Sequence, residues 1–246
     1  MSTLVDVGPA LGIALVLLAV LAAVVSRYAC LGHDRAVVVA SLRAVGQLAA
    51  VSLVLAAVIE SLPLTLLFVG AMYAVASLTA GRRLVRRRAA WWAALPVGMG
   101  AVPVVVALLL AQVVPAEGIA IVPVAGILIG GAMTVTALAG RRALDELQAR
   151  RGEVEAGLAL GLLPRDAALE VCRSAAGQAL VPALDQTRTV GLVALPGAFV
   201  GTLLGGATPV EAGAVQVLIL VALLAVQSVA IAATVELVAR GTFADS

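Results

Sequence analysis

The sequence predicts an all-α polytopic membrane protein with seven transmembrane helices and one long cytoplasmic helical loop between spans five and six. Of the 246 residues, 63% are hydrophobic and only 12% are charged, a composition that excludes an ordinary soluble domain. Uncharged stretches of about 20 residues recur, which is the length that a helix needs to cross the hydrocarbon core. One long polar segment interrupts them and must lie outside the lipid.

The spans follow from the intervals between charged residues. We expect a single transmembrane domain over residues 1–246, with spans at about residues 7–26, 36–59, 61–81, 91–114, 118–140, 189–208 and 212–235. The fourth contains Pro96 and Pro103, so we expect a kinked helix there. The second contains Arg43, and the other six contain no charge.

The arginines predict the orientation. All 16 basic residues are arginine, and outside the second span they fall only in alternate connections and after the last span. The remaining connections carry single acids, namely Glu60, Glu117 and Glu211. The positive-inside rule then places the N-terminus outside, the C-terminus in the cytoplasm and the chain in the cell (inner) membrane as a multi-pass protein. The lipid bilayer is therefore one expected partner.

The polar segment, residues 141–188, is called the island below. It holds seven of the 16 arginines and seven of the 14 acids. From Glu153 to Glu170 it predicts a helix, a break at Gly161 to Pro164, and a second helix with Asp166 near its positive N-terminal end. Leu162 and Leu163 fall at the break.

Residues 179–216, ALVPALDQTRTVGLVALPGAFVGTLLGGATPVEAGAVQ, resemble the FetB-type permeases, which are membrane subunits of ATP-binding-cassette (ABC) transporters assigned to iron export. The matching stretches are residues 180–185, 189–197 and 206–212. Residues 123–133 and the motif Arg43-x-x-x-Gln47-Leu48 resemble two earlier family patterns, so the likeness covers nearly the whole chain.

The resemblance implies a transport subunit that is not an enzyme and that pairs with itself and with a separate ABC ATPase. The island then resembles the loop on which such ATPases dock, with Glu155, Gly161, Leu162, Leu163 and Asp166 as the coupling residues. The alternative is a solvated amphipathic hairpin with no partner.

The departures from the family pattern bear on the substrate. Ile127, Ala198 and Phe199 stand where the pattern has methionine, Gly131 stands at an asparagine, and Val215 replaces a tyrosine. Soft and polar groups are what a metal or its chelate would contact. The resemblance therefore implies an ABC permease more securely than it implies iron, and it leaves the substrate and the direction of transport open.

Polar residues inside the spans are the candidates for the substrate path, namely Arg43, Gln47, Met133, Thr134 and Gln216. An arginine within a span is costly unless it pairs or reaches the interface, so Arg43 either lines the inner mouth of the pathway with Gln47 or only reaches the interface. Glu236 is its most plausible counter-ion, or else marks the end of the last span.

Glycines recur every four residues in two spans and predict helix faces that allow close approach. They are Gly126 and Gly130 in the fifth span and Gly197, Gly201 and Gly205 in the sixth. Such faces suit either a sliding interface or static packing.

The sequence lacks the residues that several functions require. Without a lysine the chain cannot hold an ordinary P-loop, so we expect no cofactor on this chain, with ATP and Mg²⁺ bound by the partner subunit. Two cysteines and one histidine form no paired metal motif, no metal site is assigned, and no nucleic-acid partner is expected. The competing functions are an ion-gradient-driven secondary transporter, which the near absence of acids in the spans disfavours, and a membrane scaffold that transports nothing.

Overall fold

The computed structural model describes residues 8–85 and 88–243, and within them the regular structure is helical. The helices are α1 (Pro9–Tyr28), α2 (Asp34–Ile59), α3 (Leu62–Leu84), α4 (Ala94–Leu110), α5 (Gly118–Ala149), α6 (Arg151–Ala159), α7 (Pro164–Gly177), α8 (Val181–Thr189), α9 (Gly197–Leu204) and α10 (Pro209–Ala239). Short 3₁₀ helices, Arg88–Ala93 and Gln178–Leu180, precede α4 and α8. The all-helical prediction is confirmed.

Six helical segments of the described chain are long and apolar enough to cross a membrane. They are α1, α2, α3, the segment Ala90–Leu110, α5 and α10. They correspond to the predicted spans one to five and seven. The start of the predicted first span at Val7, and Arg86 and Arg87 of the second predicted inner connection, lie outside the described residues.

The predicted sixth span, residues 189–208, does not form one continuous helix. Only α9 is helical in it, and eight residues rise about 12 Å, less than half of the hydrocarbon core. Before α9 the chain turns at Gly191, where φ is +80°, and Pro196 then directly precedes the helix. These residues interrupt an otherwise apolar run, which corrects the expectation of a seventh regular span.

The chain divides into two compact units, residues 1–58 and 59–246. The first contains α1 and nearly all of α2, joined by a turn in which Gly32 has a φ of +71°. Most of its side chains are exposed, including a long series of valines and leucines. Such surfaces suit contact with lipid chains better than contact with water. The prediction of one transmembrane domain over the whole chain stays a prediction.

In the second unit α3, α5 and α10 run in the same direction. A Cβ at Gly126 would meet Met72, and one at Gly140 would meet Leu84, so α3 and α5 advance together. Likewise, a Cβ at Gly131 would meet Leu223 of α10, while the earlier parts of α5 and α10 line a common cavity. Because α5 and α10 are parallel, the chain must return between them, and residues 190–196 and α9 supply this return.

The ends of these helices explain their boundaries. α10 starts with a capping box in which Thr208 and Glu211 bond each other's backbone N–H groups, a local arrangement that fixes a helix start. α5 runs past the predicted end of its span, residue 140, to Ala149. The first part of the island is therefore a rigid continuation of a membrane helix.

Candidate functional site

The bend inside the island is built by a tight helix end. α6 ends at Ala159. The N–H of Gly161 donates to the carbonyl oxygen of Leu158 over 3.0 Å, and the N–H of Leu162 donates to that of Gly157 over 3.0 Å. This pattern is a Schellman motif, which favours glycine in the left-handed region after the helix. Gly161 has a φ of +91°, and a Cβ there would meet nothing within 4 Å, so its backbone conformation is what the bend requires.

Leucines at this bend are exposed. Their exposed fractions are 41% for Leu158, 86% for Leu160, 44% for Leu162 and 67% for Leu163. Around them α6 has no buried residue, and its Glu155 pairs with Arg151 over 3.0 Å on the surface. These four leucines, called the leucine ridge, form an exposed apolar patch on a polar segment. Such patches are typical of interaction surfaces. The leucine ridge includes both leucines that the sequence suggested for coupling.

The second island helix, α7, is half buried. Ala168, Leu169, Cys172 and Ala176 belong to the same hydrophobic core as α5 and α10. Leu163 is the N-cap residue of this helix, Pro164 is its first residue, and Asp166 lies in its first turn. The island therefore combines an exposed α6 with an α7 that is packed into the membrane-spanning unit.

Ion pairs fasten the bend to the end of α10. The Arg165 guanidinium donates from Nε to Oε1 of Glu236 and from Nη2 to Oε2, each over 2.7 Å. Arg240 donates to Oε1 of Glu236 over 2.6 Å, and Arg165 also bonds Asp166 over 2.7 Å. The Glu236 carboxylate raises the pKa of Arg165 above its usual value. The pair is exposed and so contributes little to stability, but its two parallel hydrogen bonds fix the position of Arg165 relative to Glu236.

Glu236 thus has two arginine partners at the last turns of α10. Of the two readings that the sequence left open, this position matches the end of the last span. Arg43 and Gln47 lie in α2, where both side chains are exposed.

The other predicted substrate-path residues occupy three different settings. Met133 packs against the core. Thr134 is exposed on α5 and donates to the carbonyl oxygen of Gly130 over 2.9 Å. Gln216 is only 4% exposed and accepts the N–H of Phe199 over 3.1 Å, which supplies an acceptor for an N–H in the first turn of α9.

The predicted glycine faces differ in their contacts. At Gly126 a Cβ would lie 2.8 Å from Cε of Met72. At Gly130, Gly197 and Gly201 it would meet nothing within 4 Å, and at Gly205 only the backbone of α9 itself. Closer approaches within the chain occur at other glycines, among them Gly100 against Val226 and Gly131 against Leu223.

A cavity of about 520 Å³ lies between α4, α5, α9 and α10, on the side of the unit away from the island. Its lining is apolar apart from the hydroxyl group of Thr202. Three positions that depart from the FetB-type pattern, Ile127, Ala198 and Val215, line it. None of Met133, Thr134 and Gln216 does so.

Sequence reasoning missed the pair of Arg165 with Glu236 and the cavity. The two charged residues are 71 positions apart, so no helical spacing connects them. The cavity forms where the return path is broken, and Leu195-Pro196-Gly197 was the signal that could have indicated it.

The helices and the family comparison agree on the class, a multi-pass all-helical membrane protein. The chain belongs to the family described as "Uncharacterised protein family (UPF0014)", whose model matches residues 9–243. It is 39% identical over 150 residues to "UPF0014 membrane protein STAR2" of Oryza sativa subsp. japonica, covering 61% of this chain and 53% of that protein. It is 38% identical over 150 residues to "Protein ALUMINUM SENSITIVE 3" of Arabidopsis thaliana, covering 61% and 55%.

A bacterial relative carries the name that the sequence motifs suggested. The chain is 34% identical over 112 residues to "Probable iron export permease protein FetB" of Escherichia coli (strain K12), covering 44% of this chain and 42% of that protein. The resemblance to FetB-type permeases is therefore confirmed. The aligned parts span about half the length of the two plant relatives. No solved structure matches the chain.

Proposed function

We propose that this chain is the permease subunit of an ABC transporter, driven by a separate ATPase that docks on the island. The observation that carries the proposal is the bend at Gly161, whose exposed leucines lie next to Arg165, which is bonded to Glu236 of α10. A surface that receives force from a soluble partner needs both an accessible contact and a rigid link to the membrane helices. Both features meet within five residues of this chain.

In this proposal, movement of the ATPase is transmitted through Leu162 and Leu163 to α7. From α7 it continues in two ways, through the core that α7 shares with α5 and α10 and through the ion pair of Arg165 with Glu236. Packed interiors deform little and transmit displacement. Movement of α7 would therefore move the ends of two membrane helices together.

The rest of the assembly is inferred from the same assignment. The chain pairs with a second copy, and ATP and Mg²⁺ are bound by the ATPase, since the sequence has no lysine for a P-loop. At Gly197 and Gly205, which do not line the cavity, a Cβ would meet no other element of the chain within 4 Å, which leaves this side of α9 accessible to the second copy. The N-terminus lies outside and the C-terminus in the cytoplasm, as the arginine distribution favours.

The substrate that we propose is iron or another metal, following the name of the Escherichia coli relative. We place its path at the cavity beside α9, because a broken membrane helix next to a cavity is typical of transporter sites. A deletion strain should accumulate the exported metal and become sensitive to it. Unchanged cellular iron, manganese and zinc would remove the metal assignment and leave the permease assignment intact.

The coupling surface is tested by two variants that keep the membrane helices unchanged. Gly161→Leu places a side chain at a φ that only glycine adopts readily, and Leu162→Asp with Leu163→Asp charges the ridge. Burial of a leucine contributes about 1.5–3 kcal/mol, so loss of both should weaken ATPase binding at least a hundredfold, by about 1.4 kcal/mol per tenfold.

Matched controls separate docking from folding. Gly152→Leu changes a helical glycine of α6 that has open space around it, and Gln148→Asp with Ala149→Asp adds two charges at the exposed end of α5. The controls should co-purify with the ATPase, and the test variants should insert normally but lose both the ATPase and transport. Co-purification of the test variants at wild-type levels would contradict the docking assignment.

Orientation is tested by single cysteines at Glu117 and Glu146 in a chain without Cys30 and Cys172. A reagent that cannot cross membranes should label the Glu117 position in intact cells and not the Glu146 position. The reverse result would overturn both the topology and the function. Transport that continues without ATP, driven by an ion gradient, would favour a secondary transporter, and no transport at all would favour a scaffold.

A further inference from the structure

A groove of about 420 Å³ runs between the island and the last turns of α10. Its island side consists of Leu169, Arg173, Gly177 and Leu180, and its α10 side consists of Ser228, Ile231, Ala232, Val235 and Glu236. A second, smaller groove of about 220 Å³ continues along α7 past the bend and shares Leu169 and Arg173 with the first. Arg173 therefore lies at the junction of an apolar groove and a charged one.

The charged residues around this junction differ in whether they have an ion-pair partner. Glu236 accepts from Arg165 and Arg240, and Asp166 accepts from Arg165. Glu170 lines only the smaller groove. Within the described part of the chain Arg173 makes no ion pair, so its guanidinium is a cation without a partner at the mouth of the larger groove.

The floor of the larger groove belongs to the membrane-spanning part of α10. From Ser228 to Val235 the helix carries no charge, Glu236 follows directly, and Arg240 follows four residues later. The stretch from Ser228 to Glu236 rises about 12 Å. With α10 spanning the membrane as proposed, one end of the groove lies at the level of lipid chains and the other at the level of lipid headgroups.

We propose that this groove binds an anionic phospholipid, with the phosphate on Arg173 and one acyl chain along Leu180, Ile231 and Val235. An arginine guanidinium matches phosphate with paired hydrogen bonds. Arg173 is the cation available in this groove, because Glu236 is already bonded to Arg165 and Arg240. The site rests on the proposed function only in placing the island at the inner membrane surface. It would make the position of α7 against α10 depend on the lipid.

The test uses the purified full-length chain in detergent without any ATPase, so that its outcome is independent of the docking proposal. Native mass spectrometry would compare added phosphatidylglycerol with phosphatidylcholine. Arg173→Gln should weaken binding of phosphatidylglycerol roughly tenfold, which corresponds to one charge-assisted hydrogen-bonded contact. Ala232→Trp should do the same by filling the apolar floor.

Arg188→Gln is the matched control, because Arg188 is an exposed island arginine with its own partner, Asp185, at 3.5 Å. It should bind phosphatidylglycerol as the wild type does, and glycerol phosphate should not compete with the lipid. Equal binding of both lipids, an equal loss in Arg188→Gln, or unchanged binding in Arg173→Gln would overturn the proposal. So would competition by glycerol phosphate, which would mean that the site recognises phosphate alone.

A protein-docking role for the groove predicts a different result. Arg173→Gln and Ala232→Trp would then release the ATPase, with lipid binding unchanged, and that outcome would also overturn the lipid site. Elution of both variants at the wild-type volume in size-exclusion chromatography ensures that lost binding does not reflect misfolding.

Discussion

The two halves of α10 have different packing environments. The half near the island packs against α4, α5 and α7, with Val226, Ala230 and Thr234 fully buried, and its last turns are fastened to Arg165. The first half adjoins the cavity and α9, and Val210, Val217 and Val221 are 82%, 56% and 57% exposed. Ile219 and Leu220 of the first half are also buried, so the two halves differ in the cavity beside them and not in burial alone.

Two Gly→Ala substitutions should show the largest difference between these halves. Both glycines are helical, so both gain about 0.5–1 kcal/mol in helix propensity. At Gly100 the new Cβ would lie 2.6 Å from the carbonyl oxygen of Val226, and overpacking of this kind costs about 1–3 kcal/mol. At Gly201 it would meet nothing within 4 Å.

The apparent melting temperature in detergent should fall for Gly100→Ala and stay level or rise for Gly201→Ala. Equal melting temperatures would contradict the close approach of α4 to α10. A fall at Gly201 alone would show that a second chain covers that face of α9.

The second prediction concerns the ion pair at the packed end. Arg165→Gln and Glu236→Gln should each lower transport about tenfold, within the range of typical coupling energies, while the ATPase stays bound because the leucine ridge is intact. Arg188→Gln, which breaks a pair with Asp185 contained within the island, is the control and should transport normally. ATP hydrolysis and transport measured together in vesicles would check this.

The loss in the double variant of Arg165 and Glu236 should be smaller than the sum of the two single losses, because both changes remove the contact between these residues. Additive losses would indicate that the two residues act separately.

Features that depend on residues close together in the sequence could be predicted, whereas contacts between residues far apart in the sequence could not. The hydrocarbon thickness sets helix length, so five predicted spans and the last agree with helices of the structure. Local chemistry likewise predicted the break at Gly161 to Pro164. In the sixth span apolar composition predicted a helix, whereas the local conformations at Gly191 and Pro196 interrupt it.

Contacts between distant parts of the chain were beyond such reasoning. The i, i+4 spacing identifies a glycine face but does not show whether another helix lies on it, as the contrast between Gly126 and Gly130 illustrates. Arg165 and Glu236 meet only because α5 and α10 run parallel and α7 folds back on both. That information lies in the packing of whole helices and not in any segment.

The third prediction compares two buried glutamines of α10. Gln216→Leu leaves the N–H of Phe199 without its acceptor, at a cost of about 1–3 kcal/mol. Gln227 has a buried Oε1 that accepts no hydrogen bond within the described residues, so Gln227→Leu should be neutral or stabilising. Hydrogen exchange should become faster in α9 only for Gln216→Leu, and unchanged exchange there would show that the cavity end does not depend on this bond.

The smallest effect concerns thiol reactivity. Burial raises the pKa of the Cys172 thiol above its usual value, which lowers the fraction of reactive thiolate at neutral pH. Cys172 on α7 should therefore resist a maleimide that labels exposed Cys30 and a cysteine introduced by Ala198→Cys beside the cavity. Rapid labelling of Cys172 in the folded protein would show that α7 separates from α10.

The parallel course of α3, α5 and α10 also has an electrical consequence. Peptide dipoles add along each helix and leave about half a negative charge at its C-terminal end, and here three such ends point the same way. Each ends on arginine, with Arg82 and Arg83 in the last turn of α3, Arg150 as the C-cap of α5 and Arg240 as the C-cap of α10. The arginines on which the proposed orientation rests therefore also neutralise the aligned helix dipoles, and their replacement by glutamine should weaken both effects together.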